Sequence, residues 1–196
     1  MGAFQLCIAK ETSLVLVNIF SLQNEIDMMP LIVLLLSFLI LRIVGRFYPK
    51  INPNKAGRIA FGLMFLFTGV SHFMFAEGMI MSLPAFIPFK EFLVYLTGVL
   101  EFFFAALFTV DRYKQLTAKL IIAFLIAVLP ANIWAAMHHV DIPNASYNGA
   151  GLAYLWFRIP LQVFFIAWVF HFGIKPITVH AFRGKKHDVK PSILKA

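Results

Sequence analysis

Five apolar runs, each long enough to cross a hydrocarbon layer, leave this chain few folds to choose from. They cover residues 30–47, 58–75, 91–110, 116–138 and 151–173. A transmembrane helix needs about 17–25 predominantly apolar residues. The stretches between the runs hold the turn formers and helix breakers expected of loops: YPKINPNKAG, MSLPAFIPFK, DRYKQ and VDIPNASYNGAG. Composition agrees with the runs. Apolar residues make up 61% of the chain and charged residues 13%, against about 45–50% and about 25% in a soluble domain. The reading is an all-α polytopic membrane bundle with its elements in the lipid bilayer.

The basic residues predict an orientation. Five (Arg42, Arg46, Lys50, Lys55 and Arg58) flank the first connection, and three (Arg112, Lys114 and Lys119) flank the third. Six more lie in the tail from Lys175 onward, while only Lys10 and Lys90 fall on the other side. The positive-inside rule then places the N-terminus outside a cell membrane, such as a bacterial cytoplasmic membrane, and the C-terminus in the cytoplasm. The same distribution explains the net charge of +8 without nucleic acid, because the basic tail lacks aromatic interleaving and a binding fold. Residues 1–29 read as an extracytoplasmic segment whose apolar part, SLVLVNIFSL, is too short to span. With one cysteine, Cys7, no intrachain disulfide and no CxxC chemistry are available.

Polar residues inside the spans carry the functional reading. Thr68, Ser71 and His72 share a face of the second span, Thr97 and Glu101 one of the third, and Arg158 and Gln162 one of the fifth. Asn132 stands in the fourth span, with His139 seven residues on, while the first span offers only Ser37 away from its basic end. Spans two to five are therefore expected to form the bundle, with the first packed outside it. At a rise of 1.5 Å per residue, His72, Asn132, Arg158 and Glu101 lie roughly 5, 9, 10 and 15 Å from the outer ends of their spans. That agreement in depth predicts a polar pocket in the outer half of the bilayer, lined by His72, Glu101, Asn132, Arg158, Gln162 and Ser71. An ionised side chain in a span costs about 2.5–3.5 kcal/mol on insertion scales, so Glu101 and Arg158 are expected to pair. Pro130 and Pro160 each free a carbonyl one turn earlier, on Ile126 and Trp156, adding to the polar density. Residues 77–90 would either cover the pocket or lie on the headgroups. His138 and His139 read as interfacial, as do Trp134, Trp156 and Trp168. No metal site is expected, since no HxxxH or HxxE spacing occurs.

In order and spacing, Arg58…Gly62, GVSHF (69–73), TGVLE (97–101), LPAN (129–132) and RIPLQ (158–162) resemble the DoxX and DoxX-like membrane protein family. The resemblance covers residues 58–172 and implies a DoxX-like four-helix membrane domain over 58–173. The run at 30–47 is then an additional, peripheral N-terminal transmembrane helix, and 174–196 a basic cytoplasmic tail. One family member is a small subunit of a thiosulfate:quinone oxidoreductase, and others are associated with membrane oxidoreductase complexes. The resemblance supplies no catalytic set. It implies an accessory subunit that binds quinone, held non-covalently, or lipid, beside a redox partner subunit, because this sequence offers no haem, flavin or iron–sulfur ligand set. A non-catalytic scaffold or assembly protein and a small transporter are the alternatives. A stand-alone isomerase using His72 and Glu101 as acid and base is the more distant enzyme reading.

Overall fold

The computed structural model describes residues 28–48 and 51–174; Cys7, the 13–22 stretch and the basic tail lie outside the described residues. Helix α1 is Met28–Phe47, α2 Pro53–Met74, α3 Ala76–Met81, α4 Lys90–Thr109, α5 Lys114–Met137 and α6 Ala153–Val169. One π-helical turn, Phe170–Ile174, prolongs α6. All of these except α3 and the π turn by itself are long and apolar enough to cross a bilayer, with α6 counted through Ile174. The architecture is that of an all-helical, multi-pass membrane protein. Among the described residues the extended pairing is limited to one isolated bridge, Asp141–Ser146.

The helix ends lie close to the predicted ones, and where they differ the capping chemistry explains it. Helix α2 begins at Pro53 rather than Arg58, because Asn52 caps it by accepting from the Lys55 amide at 2.8 Å and proline suits the first helical position. Helix α5 ends at Met137 with His139 in the left-handed region at φ 53°. The Val140 amide reaches back to the Ala135 carbonyl (2.9 Å) and the His139 amide to that of Ala136 (3.3 Å). This is a Schellman cap, with histidine where glycine is usual. The His139 ring is held there against the Gly149 carbonyl (Nδ1 at 3.3 Å).

Two helix pairs build the bundle. Small residues join α2 to α4: a Cβ on Gly98 would stand 3.2 Å from the Gly69 carbonyl, and one on Gly69 would stand 3.2 Å from the Gly98 carbonyl. Two turns lower, Gly62 packs on the Ala105 carbonyl in the same way. Lipid supplies no hydrophobic drive between helices, so such close backbone packing is what associates them. Helices α5 and α6 form the second pair; α4 also touches α5, α6 touches α2, and α4 stands diagonally across from α6. The end of the bundle carrying the π turn is closed. There Phe172 fills the space beside Gly57, and Gly173 packs on Ala118 and Phe108. The Trp168 indole donates to the Gly57 carbonyl at 3.0 Å, so this tryptophan ties α6 to α2 rather than serving simply as an interfacial anchor. Trp156, 87% exposed, has the lipid-facing position expected of an aromatic belt.

Phe61 sits at the centre of the core, with the rings of Phe65, Phe108 and Phe165 at 4.7, 5.9 and 6.1 Å. These aromatics are buried together with Met64, Ile121 and Leu125. Helix α1 is little covered by the other described residues: only 6% of its apolar window is buried. Its Phe38 meets the edge of Trp168 at 5.0 Å, and Ser37 returns its hydroxyl to the Val33 carbonyl.

Candidate functional site

At the α3 end the two helix pairs stand apart around a cavity with two lobes, of about 180 and 170 Å³. His72, Glu101 and Arg158 line both lobes and so form the waist between them. The larger lobe adds Thr68, Ser71 and Gln162, and the smaller adds Thr97, Asn132 and Ser82. All six residues expected from the sequence to share a pocket therefore reach this cavity. Its roof is built from Met79 of α3, Ser82 and Leu83 just beyond it, and Ile142 and Pro143 of the connection between α5 and α6. Gly78 permits that roof: a Cβ there would stand 2.0 Å from the Ile142 carbonyl. Lys90 holds the Leu83 carbonyl at 2.9 Å. The first half of the 77–90 stretch thus covers the cavity, while its second half leaves Phe86 and Phe89 exposed.

A chain of polar contacts, two hydrogen bonds and one ion pair, runs from α4 to α2 and back through the waist. The Thr97 hydroxyl lies 2.8 Å from the Val94 carbonyl and 3.2 Å from His72 Nδ1. A hydroxyl has one proton to give. With that proton on the Val94 carbonyl, the His72 Nδ1–H donates to Thr97 Oγ1 and Nε2 faces Glu101. Nε2 stands 3.7 Å from Glu101 Oε1, an ion-pair distance rather than a hydrogen bond. The other carboxyl oxygen, Oε2, accepts from the Thr68 hydroxyl at 2.6 Å. Glu101 is only 7% exposed. A closer approach of about half an ångström would bring His72 Nε2 within hydrogen-bond reach of Glu101 Oε1. The seam sets up this proximity directly, since a Cβ on Gly98 would stand 2.8 Å from the Cβ of His72.

The expected Glu101–Arg158 pair does not form. Among the described residues the ion-pair partner of Glu101 is His72, and Arg158 has none. The reason lies in the helix order: Glu101 and Arg158 sit on diagonal helices with the cavity between them, whereas α2 lies against α4. The Arg158 Nε is buried without an acceptor among the described residues. Gln162, at the wall of the larger lobe, donates to the Leu125 carbonyl, next to the one that Pro130 frees. Ser71 returns its hydroxyl to Phe67 at 3.1 Å. His138 stacks on Trp134 at 3.9 Å, outside the cavity lining. Thr68 and Thr97 stood on the polar stripes but were not among the expected pocket residues. Their i, i+4 spacing from His72 and Glu101 was the available signal.

In thermodynamic cycles, Thr68→Val with Glu101→Gln is expected to show a coupling of about 1 kcal/mol, the net worth of a typical hydrogen bond. The coupling of Glu101→Gln with Arg158→Gln should be smaller. Unfolding of the purified variants in mixed micelles measures both.

At the opposite end of the bundle the sequence reading is corrected as well. Arg58 is not a surface topology charge alone: its side chain is 3% exposed and pairs with Asp111, beyond the end of α4. The buried aromatic core around Phe61 separates this pair from the cavity.

Residues 61–173 match the family described as a domain of unknown function, DUF8561. The chain belongs to that family. The DUF8561 match runs from α2 through the π turn, so it includes every residue of the polar contacts at the waist and Arg158, but neither α1 nor Arg58. No curated protein and no solved structure matches the chain.

Proposed function

We propose that this protein binds the oxygen-bearing headgroup of an apolar, quinone-type ligand in the two-lobed cavity and exchanges a proton with it through His72 and Glu101. The observation that carries the reading is the waist itself: a buried carboxyl and an imidazole, each held by its own threonine, face a guanidinium across the cavity. Intramembrane ionisable groups are expensive and mark ligand or proton sites. Each lobe is smaller than the roughly 300–1,000 Å³ typical of pockets for drug-sized ligands. That size suits a headgroup, with the ligand's tail left in lipid. Arg158 and His72 offer donors to carbonyl oxygens, and the apolar walls of Phe65, Phe124 and Phe165 suit a ring.

In this reading the chain is a small accessory subunit of the DoxX-like kind in a cell membrane, and a partner subunit supplies the electrons. The charge distribution supports an outward-facing cavity with the C-terminus in the cytoplasm. The Phe61 cluster, closed between the cavity and the Arg58 end, argues against a transport path and so against the small-transporter reading. A scaffold reading leaves the paired threonines of the waist without a purpose.

The test is mass spectrometry of organic extracts from protein purified out of membranes, followed by equilibrium dialysis with naphthoquinone. A bound quinone is expected. His72→Phe and Glu101→Gln should each weaken binding by about tenfold, the worth of one hydrogen bond to a charged group, while the helical content is retained. Unchanged affinity in both variants would sink the proposal.

A further inference from the structure

The charges around the cavity say more about its ligand than its size does. Among the described residues, four ionisable side chains line the two lobes: His72 from α2, Glu101 from α4, and Tyr154 and Arg158 from α6. Helices α1, α3 and α5 and the 139–152 connection add none to the lining. An arginine remains charged in proteins, and Arg158 has no carboxylate partner among the described residues. Its Nε is buried with no acceptor among the described residues, so the guanidinium presents donor capacity that these residues leave unused. Glu101 could neutralise it through space, but that carboxyl is held at the far wall by Thr68 and His72.

We infer that the ligand binds as an anion, an ionised acidic hydroxyl or carboxylate on an apolar body, with Arg158 as its counter-charge and the His72–Glu101 dyad taking up one proton. The inference rests on the proposed binding site and specifies the class of ligand it takes. The balance is simple. A carboxylate, a neutral imidazole and a guanidinium sum to no net charge. An anion adds one negative charge to a poorly solvated space, where uncompensated charge is costly. One proton taken up by the dyad restores neutrality. For a ligand that arrives as a neutral acid, its own O–H bond breaks, the proton forms a bond to His72 Nε2 or a Glu101 oxygen, and the ligand oxygen is left on Arg158. No electron moves in this step, so no oxidant or reductant is required.

The two lobes meet at these groups, and this suits the chemistry. The acidic oxygen sits at the waist, between the proton acceptor and the guanidinium, with the apolar ring in the larger lobe. The smaller lobe, with Asn132, Ser82 and Thr97, remains for a polar substituent or water.

The experiment uses the full chain in lipid nanodiscs and two probes matched in shape: a hydroxynaphthoquinone, whose enolic hydroxyl is ionised in neutral water, and unsubstituted naphthoquinone. Equilibrium dialysis should show the ionised probe binding about tenfold or more tighter, the worth of a charge-assisted hydrogen bond. In weakly buffered solution an indicator dye should report uptake of about one proton per bound anion, and Glu101→Gln should abolish that uptake. Arg158→Gln should reduce the ratio of the two affinities to about one, and Arg158→Lys should keep a preference, which guards against loss of folding in the glutamine variant. Equal binding of both probes to the wild-type protein, or anion binding without proton uptake, would overturn the inference and leave the binding site standing. Failure of both probes to bind would overturn the site itself and the inference with it.

Discussion

Replacing Gly98 by leucine is expected to cost the bundle about 2 kcal/mol or more, net of the gain in helix propensity. The propensity term favours the variant by roughly 1 kcal/mol. The packing term opposes it and is larger, because the new side chain has no direction in which to relax. Its Cβ alone would stand 2.8 Å from the Cβ of His72, 3.1 Å from the Phe73 ring and 3.2 Å from the Gly69 carbonyl. Two of those three neighbours are a backbone atom and the first carbon of a side chain, which move only if α2 moves. Detergent titration of the purified protein, followed by far-ultraviolet circular dichroism, measures the loss. Val99→Leu is the control: its neighbour in sequence is 40% exposed on the lipid side, and a change within about 0.5 kcal/mol is expected there. The milder Gly98→Ala separates fold from function. If it remains folded but displaces His72, quinone binding should fall while the unfolding midpoint moves little.

That coupling of seam to site could not be read from spacing alone. Span lengths and breakers placed the membrane helices to within a few residues, because an apolar run has to be about as long as the bilayer is thick and prolines and glycines punctuate what lies between. The stripes placed His72, Glu101, Asn132 and Arg158 at one depth, because residues three and four apart share a face. Neither signal carries the order of helices around the bundle. The partner of Glu101 depends on α2 and α4 closing over Gly69 and Gly98, and a single sequence shows those glycines without showing what they meet. Arg158 was matched to Glu101 by charge and depth, and it is the diagonal placement of α6 that separates them. The part of the roof contributed by the connection between α5 and α6 was missed for a related reason. Ile142 and Pro143 lie in a polar connection, and only their contact with Gly78 brings them over the cavity.

Arg58 taught a similar lesson, and it leads to the second large effect. Counted from the sequence, it is one of five basic residues flanking a connection. In the fold its guanidinium is buried, with Nε lacking an acceptor among the described residues and Nη2 donating to Asp111. Removing one member of a buried pair costs about 3–5 kcal/mol, mostly from the charge left behind. Asp111, however, is 68% exposed. Water reaches its side of the pair, so Asp111→Asn is expected to cost about 1–3 kcal/mol, nearer the penalty for an unsatisfied charged donor.

The pH dependence gives the prediction its sign. The hydrogen bond from Arg58 holds the Asp111 carboxyl below its ordinary value of 3.8; burial, the next-largest effect, opposes it, and the charges of Arg58, Lys114 and Lys55 each add a smaller effect in the lowering direction. A carboxyl whose folded value is depressed binds its proton more readily when unfolded. Its contribution is complete above the unfolded value and is lost as pH falls through the folded one. The wild-type protein should therefore exceed Asp111→Asn in stability at neutral pH, and the gap should close only below about pH 4. High salt should narrow the gap slightly, because Lys114, 3.9 Å from Asp111 and 40% exposed, is screened while the buried Arg58 is not. Equal stability of the two proteins at neutral pH would mean that Arg58 finds another anion when Asp111 is gone. A lipid phosphate is the group of that charge nearest a helix end, and comparing the variant in zwitterionic and anionic lipid would identify it.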